Sequence, residues 1–171
     1  MEDPTTDQAD DGHLDAVLDA VLIGGREERL VVLADPDPRW PVIFERHRAI
    51  IARALGERAR RIDHVGSTAV PGLAAKAIVD ISVTVDDPDD DGSFAPALLD
   101  AGYQLRVREP RHRMFRTPGR DVQVHVWAAG SPDERRHIVF RDWLRVDEAD
   151  RALHEDTKRG LAGRLWRDTN Y

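Results

Sequence analysis

Leu14, Val17, Leu18, Val21 and Leu22 recur at the spacing of a single helical face, and Gly24-Gly25 ends the run. Residues 1–12 hold too few apolar side chains to offset the entropy of ordering and are expected to be disordered. So short a helix needs something to pack on, either its own domain or a protein partner. From Leu30 onward the pattern mixes two periods. It predicts a strand over Leu30–Ala34, a helix over 41–55 and a strand near 60–65. The strongest strand is Ala77–Val85, followed by a helix near 94–101. Strands near 103–108, 113–117 and 121–127 come next, the last two joined by a Pro118-Gly119 turn. Ser131-Pro132-Asp133-Glu134 reads as a capping box opening a helix to about Arg145, with a further helix over 147–165. This order describes an α+β domain over 29–171: a mixed β-sheet, helices mainly on one face, and a C-terminal helical pair. Residues 1–28 stand before it as an acidic tail with the short amphipathic helix.

Strand parity locates candidate chemistry. Alternate side chains of a strand point to opposite faces. Within Ala77–Val85, Val79, Ile81, Val83 and Val85 share one face, while Ile78, Asp80, Ser82 and Thr84 share the other. Within 121–127, Val122, Val124 and Val126 oppose Asp121, Gln123, His125 and Trp127. Two strands thus each present an apolar face for helices and a polar face with potential ligands. An exposed sheet face would also be polar, although Lys, Glu, Arg and Thr are its usual occupants.

Composition narrows the classes. The formal net charge is −7. The N-terminus accounts for it, since Glu2, Asp3, Asp7, Asp10, Asp11, Asp15 and Asp19 precede the first Arg. A global basic footprint is absent, which disfavours a nucleic-acid partner. No cysteine is present, which removes disulfides, thiolate metal sites and cysteine nucleophiles. The acidic N-terminus is unlike a signal peptide and no apolar run is long enough to span a bilayer, so the expectation is a cytoplasmic protein with no membrane partner.

Gly66-Ser67 follows a strand, and Asp80 stands on the next one. Glycine lets a ligand approach the backbone, and serine adds a hydroxyl beside amide N–H groups. A Gly-Ser turn followed by an acid-bearing strand resembles the outline of the nucleotidyltransferase superfold. There the turn grips a triphosphate, and carboxylates on adjoining strands hold Mg²⁺. The run Asp63-His64-Val65-Gly66-Ser67-Thr68-Ala69-Val70-Pro71-Gly72-Leu73-Ala74-Ala75-Lys76 is similar to the signature of the GrpB family. Pro38-Arg39-Trp40-Pro41, Ala101-Gly102-Tyr103, Val124-His125-Val126 and Phe140-Arg141-Asp142-Trp143-Leu144-Arg145 extend the likeness over roughly 30–171. The family implies a nucleotidyltransferase-like fold without a settled substrate, and some relatives are fused to a dephospho-coenzyme A kinase. Two departures stand out. Asp80-Ile81-Ser82 replaces an Asp-x-Asp pair, and Gln123-Val124-His125 replaces His-x-His. Relatives also continue past the position of Tyr171 into a final helix.

The resemblance implies a nucleotide or other phosphorylated small molecule as ligand, with Mg²⁺ or Mn²⁺ as cofactor and a nucleotidyl group transferred to a small acceptor. Gly66 and Ser67 would hold phosphate, helped by Lys76 and Lys158. Asp80 and His125 would be the metal ligands, with His125 alternatively a general base, and Arg141 would neutralise developing charge. His64 is either a phosphate donor or a structural histidine. A non-catalytic nucleotide sensor or partner-binding module is the alternative. Arg106, Arg108, Arg111, Arg113, Arg116 and Arg120 form the only dense basic run, readable as a phosphate or single-stranded RNA contact or as exposed arginines. Trp127 shares parity with His125 and could stack a base, whereas Trp40, Trp143 and Trp166 read as core.

Overall fold

The computed structural model describes residues 15–166. The expectations for residues 1–14 and 167–171, disorder of the tail included, lie outside them. Helix α1 covers 15–21 of the described chain, followed by β1 (Arg29–Leu30), α2 (Arg39–Leu55), β2 (Arg61–Val65) and β3 (Val79–Val85). Then come α3 (Asp91–Asp100), β4 (Gln104–Glu109), β5 (His112–Arg116), β6 (Val122–Ala128), α4 (Pro132–Val146), α5 (Glu148–Leu161) and β7 (Leu165–Trp166). The main sheet has the order β2-β3-β6-β5-β4. Only β3 and β6 pair in parallel; the other neighbours are antiparallel. This is the α+β fold with a mixed sheet that the pattern predicts.

The two apolar parity sets meet in the core. Val79, Ile81, Val83 and Val85 from β3 pack with Val122, Val124 and Val126 from β6 beneath Ile51 and Leu55 of α2 and Phe94 and Leu98 of α3. α2 is longer at its start than predicted, because Asp37 Oδ1 accepts from the Arg39 amide at 2.8 Å and Pro41 fits the first turn without losing a bond. Val42 in its first turn faces solvent.

The polar parity set is also covered. α4 lies over β2, β3 and β6, with α5 packed against it, while α1 takes the β4–β5 end. Leu18 and Leu22 of α1 are buried with Val107 and Met114, and Leu22 bridges to Val107. The amphipathic helix therefore docks on its own domain. The polar face becomes the floor of enclosed spaces beneath helices.

Three local expectations change. Leu30–Ala34 is not one strand, since Arg29–Leu30 pairs with β7 whereas Ala34 bridges to Ala75, two different partners a few residues apart. α5 stops at Leu161, ahead of Gly163 at φ 78°, so that 165–166 turns back to β1. At the head of α4, Ser131 Oγ accepts from the Glu134 amide at 3.2 Å, but Glu134 Oε2 accepts from Gly130 N at 3.1 Å in place of Ser131 N. The capping box is thus displaced by one residue on its return leg.

Truncating Leu18, 2% exposed, removes a plug between α1 and the sheet. Leu18→Ala is expected to lower stability by about 2–4 kcal/mol in urea unfolding. Val42→Ser, at a position 68% exposed, should stay within about 0.5 kcal/mol of the parent.

Candidate functional site

β2 delivers the chain to Gly66, which adopts φ 70° and ψ −173°, a conformation open essentially to glycine alone. Ser67–Ala69 then forms a 3₁₀ turn. The β2–β3 register sets Val65 opposite Asp80, which brings Asp80 against the turn. A Cβ on residue 66 would lie 2.5 Å from Asp80 Oδ2, so the missing side chain is what admits the carboxylate. Two arginines of α4 hold the turn at both ends. Arg141 Nη1 donates to the His64 carbonyl at 2.9 Å. Arg145 donates to the Ala69 carbonyl from Nε at 3.0 Å and Nη2 at 2.8 Å.

The braced turn, β3 and α5 enclose a hollow of about 140 Å³ lined by Gly66, Ser67, Thr68, Lys76, Asp80, Gln123 and Lys158. Five sequence-predicted site residues, Gly66, Ser67, Lys76, Asp80 and Lys158, thus share one space. Lys158 Nζ donates to Ser67 Oγ at 2.8 Å, and His154 Nε2 lies 3.4 Å from the same oxygen. Burial lowers the Lys158 pKa, and the like charge of Lys76 adds to the shift. Burial likewise lowers His154, with Lys158 contributing. The arrangement sets two ammonium groups and a hydroxyl beside one carboxylate, a surround suited to an anion.

His125 sits just behind the hollow, its Nε2 3.7 Å from Asp80 Oδ1. The donors do not fit a resident Mg²⁺ or Mn²⁺. Among the described residues Asp80 is the only carboxylate lining the hollow, Ser82 is buried and uncharged where a second acid would stand, and lysine ammonium groups occupy the same space. Among the described residues, no group of three His, Asp or Glu side chains could hold a metal ion.

Other predicted site residues lie elsewhere. His64 projects to the face opposite Asp80, stacked on Phe44 with ring centroids 4.9 Å apart, and its Nε2 meets Thr68 Oγ1 at 3.0 Å. Burial pulls its pKa down to about 4, so the ring is neutral and structural. Arg141 is committed to the His64 carbonyl and to Asp142, at 2.8 and 3.1 Å, with Asp63 3.5 Å away; it braces the turn and does not face the hollow. Most of the arginine run is also spent internally. Arg106 is buried and donates to the Ile23 and Gly25 carbonyls at 2.8 and 2.6 Å. A register shift between Leu105 and Val107 parts it from Arg108, which pairs with Asp91. Arg113 pairs with Asp89 and Asp91, and Arg116 and Arg120 share Glu27. Asp121 precedes β6 and accepts from Thr117 Oγ1 at 2.6 Å. Trp127 is buried, its ring centroid 3.8 Å from that of His112, so it offers no platform for a base. Trp40 is core as expected; Trp143 is half exposed, its indole donating to Asp150 Oδ2 at 2.6 Å. The side chain of Trp166 lies outside the description.

Sequence reasoning missed the bracing role of Arg145 and the contribution of His112, which falls one residue before the predicted strand. Its signal was available, because extending β5 by one residue sets His112 opposite Trp127.

Comparison with known proteins gives a consistent result. The family model described as GrpB protein matches residues 30–171. A UPF0157 protein of Streptomyces coelicolor is 51% identical over 87% of this chain and 80% of its own length. A UPF0157 protein of Halalkalibacterium halodurans is 42% identical over 82% of this chain and 74% of its own. A protein of Mycolicibacterium paratuberculosis named dephospho-CoA kinase is 33% identical over 78% of this chain, which spans 40% of that longer protein. The crystal structure of GrpB from Enterococcus faecalis matches with a TM-score of 0.69 at 28% identity, covering 76% of this chain and 82% of that one.

Gly66→Ala is expected to cost about 1–3 kcal/mol from its backbone conformation alone. Displacement of Asp80 adds to this, so the loss should shrink in an Asp80→Ala background, as read by a double-mutant cycle of unfolding free energies. A second expectation concerns acid. His64 binds its proton at about 4 when folded, against 6.5 as the ordinary value. The unfolded chain therefore takes the proton first, and the His64 contribution, complete above pH 6.5, is lost as pH falls towards 4. Denaturant midpoints measured across that range should decline, and His64→Phe should flatten the decline.

Proposed function

The chain belongs to the GrpB family and carries its nucleotidyltransferase-like fold; from that premise we propose that the hollow binds a nucleotide or other phosphorylated small molecule and transfers a nucleotidyl group from it to a small acceptor. The observation that carries the proposal is the convergence of Ser67, Lys76 and Lys158 on one small space. Phosphate oxygens would replace the neutral Ser67 hydroxyl as acceptors of the Lys158 ammonium, and the lysine charges would balance the ligand. A space of about 140 Å³ suits phosphate groups and leaves the rest of the ligand at its mouth.

The protein's own groups supply the remaining roles. Asp80 lines the hollow with His125 3.7 Å behind it, and there an acceptor hydroxyl would lose its proton. In the transfer, the acceptor oxygen bonds to phosphorus, the bond to the leaving phosphate breaks, and the hydroxyl proton passes to the Asp80–His125 pair. Any divalent ion would arrive with the ligand's phosphates, and no step is assigned to it. A second reading, a binding module without turnover, is favoured by one observation: Ser82, 2% exposed, is buried and neutral at the position of the missing carboxylate.

Calorimetry with nucleoside triphosphates and coenzyme A precursors, with and without Mg²⁺, tests the binding. Lys158→Ala and Lys76→Ala are each expected to weaken it about tenfold, about 1.4 kcal/mol; unchanged affinity in both would reject the site. Asp80→Asn should keep the fold and the ligand while abolishing pyrophosphate release, and turnover retained by that variant would remove the mechanism. Wild-type binding with no product would select the second reading.

A further inference from the structure

A row of four titratable side chains runs along the polar face of the sheet behind the hollow. Glu109 Oε2 lies 2.7 Å from His112 Nδ1, and His112 Nε2 lies 3.2 Å from His125 Nδ1. His125 Nε2 ends the row 3.7 Å from Asp80 Oδ1. The two imidazole planes are within 7° of parallel with centroids 5.4 Å apart, so their nitrogens meet edge to edge, the geometry of an in-plane hydrogen bond. Asp80 lines the first hollow, whereas Glu109 and His112 line a second one of about 500 Å³ under α1.

The donors along this row are fixed in sequence. An ionised carboxylate only accepts, so His112 donates to Glu109 from Nδ1. Burial keeps the His112 ring neutral, with its pKa pushed down to about 3, so its Nε2 is an acceptor. His125 must then donate from Nδ1, and its Nε2 faces Asp80 Oδ1. Asp133, His137 and Arg113 are the other titratable or charged groups acting on this row, none of them bridging its links.

We propose that Glu109 and His112 are positioning residues that hold His125 as its Nδ1–H tautomer, and that the row stores one proton taken from the first hollow. This rests on the reading of that hollow as a reaction site. A proton reaching His125 Nε2 forms an N–H bond there. The Nδ1–H bond of His125 breaks as His112 Nε2 gains that proton, and the Nδ1–H bond of His112 breaks as Glu109 Oε2 is protonated. Each ring gains one proton and loses one, one proton rests on Glu109 away from the reacting atoms, and reversal returns it to the departing phosphate. Burial raises the proton affinity of Glu109, which suits the terminal acceptor.

Imidazole ¹⁵N NMR of the ligand-free full chain tests the tautomers. Nδ1–H signals are expected at His112 and His125, retained in Glu109→Gln, whose amide oxygen still accepts, and replaced by mixtures in Glu109→Leu. His112→Phe should release His125 in the same way. An Nε2–H signal at His125 in the wild type, or unchanged tautomers in both Glu109→Leu and His112→Phe, overturns the assignment. On the same proteins, kcat for pyrophosphate release should fall about tenfold or more in Glu109→Leu and in Glu109→Gln, which keeps the tautomer but cannot take the proton, with KM within about twofold in both; recovery in Glu109→Gln overturns the proton store. Unchanged kcat, or no turnover in a wild type that binds nucleotide, overturns the proton store. Because the tautomers are read without ligand, a failure to bind any phosphate compound counts against the proposed function alone.

Discussion

The geometry of the hollow depends on two arginines that never face it. Arg141 and Arg145 lie one helical turn apart on α4 and reach the carbonyls of His64 and Ala69, on either side of the Gly66–Ser67 bend. A turn containing a glycine in a rare conformation is held from both ends by charge-assisted hydrogen bonds, each stronger than a neutral one. With the bend fixed, Ser67 meets Lys158 and Asp80 fills the gap left by the absent Cβ. Two guanidinium groups thus act on backbone atoms, and the side chains around the hollow inherit the order they impose.

The electrostatic character of the hollow follows from what surrounds its single acid. Asp80 has lysines on one side and an imidazole on the other, and the next inward-facing position on its strand is a buried serine. A site assembled around hard cations concentrates carboxylates; this one concentrates ammonium groups and a hydroxyl. Membership of the GrpB family supplies the fold and leaves the reaction open. A longer relative, the Mycolicibacterium paratuberculosis protein named dephospho-CoA kinase, contains a similar segment.

Much of this was legible in the residues. The alternation of β-branched and polar side chains in 79–85 and 122–126 located the core strands and separated their faces, because a period of two has only one folded interpretation once one face is buried. The Gly-Ser pair and Asp80 were legible as partners through their likeness to the nucleotidyltransferase outline. What the sequence could not disclose was the destination of long flexible side chains. An arginine on a helix reads the same whether it ends on a ligand or a carbonyl, and Arg141 ends on a carbonyl. The basic run after residue 105 looked like a surface until a register shift turned Arg106 inward and Glu27, Asp89 and Asp91 met its neighbours. His64 shows the limit of adjacency, since one step along a strand carries a side chain to the opposite face of the sheet.

The last helix contributes Lys158 to the hollow, yet none of its residues is fully buried. It is held by a few polar contacts, including Trp143 to Asp150 and Ser67 to Lys158, and by the ring of His154 against Phe140. Elements with so little apolar surface committed to the core detach at a fraction of the free energy needed to unravel the whole domain. Each such excursion withdraws one wall of the compartment together with its ammonium group. Occupancy by the proposed anion and anchorage of this helix would therefore be two readings of the same equilibrium: whatever tightened one would tighten the other.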